Sequence, residues 1–404
     1  MPRFRHAIIA VVALGLGAAG CPAATGGPAG PGRNRARPGG PGTSRRTGPR
    51  PIKDALFAQG VKGLLHKPTP DFEGARAAFQ QVLAKHPHHL AALLNVAYCA
   101  LHLGQLKQAQ DAYTKAVSMN PKHRGARFGL VDVLLRTKQA PKALTLLSAH
   151  LAKHPRDLTA LGLAAAAHLA QGQRKQTLAR VQAALAIDRR DVLAHVNFGR
   201  LYLAKGDSRT ALMIFSRGLR LTPKSAALHF ERAQAHMAAK EMGRAVMDFE
   251  RAAKLDPYHT ATRLNLGKVY VDNLDYKGAL GHFRRVLQIW PRNRAALMGQ
   301  ARALFGLRKF SGALAGYQIA IQYHGPRPVV LYQVAKIYQD HLDKPQQALY
   351  YYQKFVRASQ GLSPKDPVFA TIRMLKATSR PRPRRTSPRK RGVGPRRRGG
   401  GKKP

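Results

Sequence analysis

Ala194-His195-Val196-Asn197-Phe198-Gly199-Arg200-Leu201-Tyr202 returns, two periods of 34 residues later, as Thr262-Arg263-Leu264-Asn265-Leu266-Gly267-Lys268-Val269-Tyr270. A comb of prolines runs through the same chain. Pro87, Pro121, Pro155, Pro223, Pro257 and Pro291 all fall on the 34-residue period, and Arg189 stands at the one missing place. Twelve residues before each comb position lies a small residue, as at Ala75, Ala109, Ala143, Ala211, Ala245 and Ala279, with Thr177 as the exception. Eight residues before it lies a bulky apolar one, as at Phe79, Tyr113, Leu147, Val181, Phe215, Phe249 and Phe283. Ala97, Ala165, Gly199, Ala233, Gly267, Ala301 and Ala335 supply a second small position. A fixed period of this length indicates a helical solenoid, in which each repeat stacks on its neighbours. Two antiparallel helices approach closely only where one offers Gly or Ala, and a large side chain then fills the space beside the contact. Proline closes the repeat because it cannot continue a helix.

This pattern resembles the tetratricopeptide repeat family, although the family's tryptophan is absent from both quoted stretches. The resemblance covers roughly residues 56 to 361 as nine repeats, beginning near 56, 90, 124, 158, 192, 226, 260, 294 and 328. The ninth carries one extra residue, since Ala348 falls a place late. It implies an all-α, right-handed solenoid of helix-turn-helix repeats, spanning 52–363. A capping helix is expected over 364–377, with Val368, Phe369, Ile372 and Leu375 on one face. At the front, Asp71 is placed to begin a helix with Glu73 in its first turn.

The ends read differently. Arg3 and Arg5 precede an uncharged apolar run of 13 residues, Ala7 to Ala19, too short to span a bilayer comfortably and suited to a secretory signal over 1–20. It stops at Ala18-Ala19-Gly20-Cys21, which resembles the lipobox of bacterial lipoproteins, with Ala18 where leucine is usual. That resemblance implies a lipidated Cys21; an ordinary secretory signal is the plainer alternative. Half of residues 22–51 are Gly or Pro, so 21–51 reads as a tether. Pro22 offers no aspartate-type retention signal, which makes the outer membrane, facing the periplasm, the expected location. Cys99, the only other cysteine, reads as a small buried hydrophobe.

The chain carries 69 Lys and Arg against 19 Asp and Glu, a net charge of +50. Between Asp54 and Leu375 the surplus is still +28, so the charge does not belong to the termini alone. Such a field draws polyanions and acidic proteins in a salt-dependent way. The tail over 378–404 has 12 basic residues among 27 and no aromatic ring to stack on a base, which suits adhesion to phosphates or plain solubilisation.

By the family resemblance, the first helix of each repeat lines a concave groove, with its sixth and ninth positions toward the ligand. The sixth positions include Asn95, Asn197, Asn265 and Gln333; the ninth include Arg200, Lys268, Arg302 and Lys336. An amide both donates and accepts, so it can pair with any peptide bond. Together they imply an extended acidic peptide, the bland alternative being basic residues on the exposed face of a basic protein. No enzyme is expected. His86-Pro87-His88-His89 lacks a cysteine or carboxylate at ligand spacing, and no Gly-rich phosphate loop or G-x-S-x-G setting occurs. No cofactor is expected. The reading is an envelope-anchored scaffold for partner proteins; the alternatives are a polyanion binder, or a non-catalytic subunit of an envelope enzyme or secretion or motility machine.

Overall fold

The computed structural model describes residues 55–65 and 70–378. The expected signal segment, Cys21 with its tether, and the tail beyond Thr378 lie outside them. Nineteen helices and no strand occur among the described residues. The first two repeats comprise α1 (Ala55–Leu65), α2 (Phe72–Lys85), α3 (Leu90–His102) and α4 (Leu106–Met119). The next three comprise α5 (Arg124–Arg136), α6 (Ala140–Lys153), α7 (Leu158–Ala170), α8 (Arg174–Ile187), α9 (Val192–Leu203) and α10 (Ser208–Leu221). Then follow α11 (Ala226–Ala238), α12 (Met242–Leu255), α13 (Thr260–Asp272), α14 (Tyr276–Ile289) and α15 (Arg294–Gly306). The last are α16 (Phe310–His324), α17 (Pro328–Asp340), α18 (Pro345–Ala358) and α19 (Pro367–Thr378). The chain divides into two compact units, at Lys309 and Phe310.

In the first unit consecutive helices pack on one another, and several pairs of successive odd-numbered helices also touch. The small and large positions make the expected contacts. Gly199 lies so close to the Phe215 ring that a methyl group there would collide with it. Thr177, the exception among the small residues, is fully buried and gives its hydroxyl to the Gln173 carbonyl at 2.9 Å, which removes the cost of burying a polar group. The hairpin turns share one backbone signature. Gly104, Lys138, Gly172, Gly206, Lys240, Leu274 and Arg308 recur every 34 residues, all with positive φ between 59° and 80°. This is the left-handed residue that ends a helix and frees the chain to reverse.

Many of the helices begin on side-chain caps. Asp71 accepts from the Gly74 amide at 2.8 Å, as its position predicts. His89 and His123 do the same through Nδ1 at 3.1 Å, followed by Asp157, Asp191, Ser225 and Asn293 at the corresponding places. The His86–His89 patch thus contains a helix cap. Cys99 is fully buried, and burial pushes its thiol up to about 12.

The first unit also closes on itself. Trp290, just past α14, lies against the turn between α3 and α4, so that a methyl group on Gly104 would run into its ring. Ile289 and Trp290 join the apolar cluster of the first repeats, and Arg292 approaches Glu73 at 3.9 Å. The seventh repeat therefore returns to the first two.

In the second unit α16, α17, α18 and α19 pack in succession. The extra residue of the ninth repeat is absorbed in the turn holding Asp343, at φ 49°, and Ala348 is fully buried in the displaced register. The cap α19 buries Val368, Ile372 and Leu375. It starts three residues later than expected and includes Thr378, because Asp366 caps it through the Val368 amide at 2.9 Å.

Candidate functional site

The odd-numbered helices carry the sixth and ninth positions, and their surroundings differ sharply along the chain. Asn95 on α3 and Asn197 on α9 are fully buried. Asn197 donates to the Gly162 carbonyl of α7 at 2.7 Å, joining two neighbouring repeats. Asn95 has no hydrogen-bond partner at either amide atom. Neither side chain reaches solvent in this conformation, which corrects their expected place on a ligand-facing surface. For Asn197 the physical reason is that the sixth position turns toward the preceding odd-numbered helix, on which α9 packs.

The row of cations is also reduced. Arg200 Nε donates to Glu231 Oε2 at 2.9 Å, and its Nη2 to Oε1 of the same carboxylate. Glu231, at the sixth position one repeat on, is nearly buried while Arg200 is 45% exposed. The guanidinium thus satisfies a buried carboxylate, which would be costly to leave unpaired. That use corrects the expectation of a free groove cation at Arg200. Arg302 on α15 lies 3.8 Å from Asp272, a loose and exposed pair. Lys268 on α13 is exposed and has no ion-pair partner among the described residues. Asn265, one turn before it on the same helix face, is half-buried. Because α13 and α15 pack together, Lys268 and Arg302 occupy matching positions on neighbouring helices, with Asn265 one turn before Lys268.

In the second unit, Lys336 is exposed and stands 3.7 Å from Asp340 on its own helix. Gln333 is half-buried and borders a cavity of about 420 Å³ formed by α17, α18 and the head of α19. Tyr332, Tyr352 and Phe355 contribute three aromatic rings to that cavity. Sequence reading passed over these rings because α18 contains Tyr350-Tyr351-Tyr352 in a row, and only packing distinguishes the buried Tyr352 from the exposed Tyr350.

No group of three or more His, Cys, Asp or Glu side chains is placed to hold a metal among the described residues. None of the described helices is long and apolar enough to cross a membrane.

Family models for the tetratricopeptide repeat match residues 57–113 and 104–167, and again 196–260 and 264–327, together more than half of the chain. The chain is a tetratricopeptide repeat protein. The fold is of the kind that serves protein–protein interaction, and no catalytic family matches. Several solved structures are similar to this tetratricopeptide repeat protein. The APC/C hetero-tetramer Cut9-Hcn1 matches at 15% identity and a TM-score of 0.48, over 79% of this chain and 62% of that one. MamA from Desulfovibrio magneticus RS-1 matches at 19% identity and 0.40, over 43% of this chain and 98% of that one. PilF of Pseudomonas aeruginosa matches at 17% identity and 0.45, over 55% and 97%. The chain thus spans less than two thirds of the Cut9-Hcn1 chain. No curated protein matches by sequence.

Proposed function

We propose that this protein is an envelope-held scaffold whose first unit binds an extended acidic peptide across α13 and α15. The observation that carries the reading is Lys268, an exposed cation with no ion-pair partner among the described residues. Asn265 lies one turn away on the same face, and Arg302 is one repeat on with only a loose hold on Asp272. Cations at this spacing suit alternate carboxylates of an extended chain, and an amide beside them suits its backbone. In the second unit Gln333 and Lys336 offer the same pair of positions. Attachment to the bacterial envelope rests on residues 1–51: the short apolar run, Cys21 as lipid acceptor, and a Gly/Pro-rich tether. A partner held this way is collected at the outer membrane, on its periplasmic side, for assembly with others.

A second reading is favoured by the surplus charge. A net +28 between Asp54 and Leu375 suits any polyanion, whether anionic lipid, lipopolysaccharide or nucleic acid.

Binding of a fluorescein-labelled ten-residue glutamate peptide to the full chain separates the two. At moderate salt the double variant Lys268→Gln/Arg302→Gln is expected to bind about tenfold more weakly, since two exposed pairs are each worth about 0.5–1 kcal/mol. Unchanged affinity in the variant, with binding that collapses between 50 and 500 mM salt, would sink the groove reading and leave the polyanion one.

A further inference from the structure

The cavity of the second unit is an exception in this chain: no Lys or Arg borders it, although the chain has 69 of them. Its walls include Tyr332 and Gln333 of α17, Tyr352 and Phe355 of α18, and Asp366 and Val368 at the head of α19. Two lysines on these helices are engaged elsewhere. Lys336 stands 3.7 Å from Asp340, and Lys354 lies 4.4 Å above the Tyr350 ring. At about 420 Å³ the cavity falls in the size range of small-ligand pockets, roughly 300–1,000 Å³.

Its lining has one carboxylate, one amide and three rings. The Tyr332 ring meets Tyr352 edge-on at 5.7 Å and Phe355 at 5.3 Å with a 58° tilt. Rings at such angles form adjoining walls rather than a closed stack, and Tyr332 keeps 36% of its surface exposed. Asp366 spends one oxygen, Oδ1, on the Val368 amide, while Oδ2 has no hydrogen-bond partner among the described residues. The half-buried Gln333 amide has none there either. Aromatic faces beside a carboxylate attract a cation. Free acceptor oxygens favour a cation with N–H groups to give, which a quaternary ammonium lacks. A guanidinium meets both demands, since it lies flat on a ring and donates in its own plane; it also sheds water more readily than an ammonium.

We propose that this cavity receives an arginine side chain of a partner protein, its guanidinium against the Tyr332 ring and donating to Oδ2 of Asp366. Charge complementarity selects that occupant, because the cavity offers a carboxylate and no competing cation. Val329 on the rim, 66% exposed, gives apolar footing to the residues that flank the arginine. The chemistry is the reverse of that at Lys268 and Arg302, and it requires neither of them.

Saturation-transfer NMR on the full chain tests this with N-acetyl-arginine amide, which presents the side chain as a protein does. Binding in the millimolar range is expected. N-acetyl-citrulline amide, similar in shape but uncharged, should bind about tenfold more weakly. Asp366→Asn keeps an oxygen for the Val368 amide and loses the charge, and should weaken arginine binding by about the same factor. Tyr332→Leu keeps apolar bulk beside Tyr352 and Phe355 but loses the aromatic face, which should cost about fivefold. The citrulline comparison uses the parent chain, so it is independent of any effect of the variants on folding. Equal binding of the two amides overturns the proposal, as does arginine binding that survives Asp366→Asn. Free arginine carries an α-carboxylate that Asp366 repels, so tighter binding of free arginine than of the amide would overturn the assignment to a partner protein. The assay involves no acidic peptide, so its failure leaves the reading of Lys268 and Arg302 standing, and the reverse also holds.

Discussion

Asp157 shows what one side chain does at a boundary between repeats. It accepts from the Thr159 and Ala160 amides at the head of α7, at 3.0 and 3.2 Å. Arg124 grips it with Nε and Nη2 at 3.1–3.2 Å, and the His150 ring nitrogen Nε2 lies at 2.9 Å. Partial burial by itself raises the carboxyl pKa, but the Arg124 and His150 contacts outweigh it and hold it at about 2. A depressed carboxyl contributes stability that is present above the unfolded value near 3.8 and is lost as pH falls toward 2. Asp157→Asn keeps the cap and loses the charge, and is expected to cost on the order of 2 kcal/mol at pH 7 and little at pH 2. Denaturant midpoints of parent and variant at the two pH values check this; an equal gap at both would assign the loss to packing. The same scale marks a limit of sequence reading. Asn95, Asn197 and Asn265 are one residue type at one repeat position, yet two are sealed and one is half-open. Depth of burial depends on how tightly neighbouring helices meet, which the letter at that position does not encode. The sizes at Gly199 and Phe215 are different, because a close approach is written directly in the absence of a side chain.

At the scale of elements, the helix boundaries follow from features the sequence displays: the proline comb, the caps, and turn positions 34 residues apart. The return of the seventh repeat onto the first two is not displayed, because it accumulates from small rotations between many repeats. Gly104 and Gly172 isolate it. Both have φ of +70°, so alanine pays the same backbone strain at each, about 1 kcal/mol. Only Gly104 has the Trp290 ring above it; nothing lies within 4 Å of a methyl group at Gly172. Gly104→Ala is therefore expected to lower stability by a further 1–3 kcal/mol, the range for overpacking. In a Trp290→Ala background the two alanine variants should cost alike. Urea unfolding of the six proteins decides it, and equal costs in the parent background would deny the Trp290 contact in solution.

For the molecule as a whole, the tetratricopeptide fold was legible from the period alone, and the ligand surface was legible only in part. Reading the ninth positions as a row of cations overlooked that Glu231, 31 residues after Arg200, neutralises one of them. What remains in the first unit is a smaller and more specific patch on α13 and α15, set in a field of net positive charge. In the proposed function, the charge would govern how an acidic partner approaches and the patch where it rests. Hydrogen exchange of the full chain, with and without the ten-residue glutamate peptide, tests this most directly. The account predicts added protection in α13 and α15, around Asn265, Lys268 and Arg302, and none in α3. Protection scattered over the even-numbered helices, or confined to the tail beyond Thr378, would contradict it.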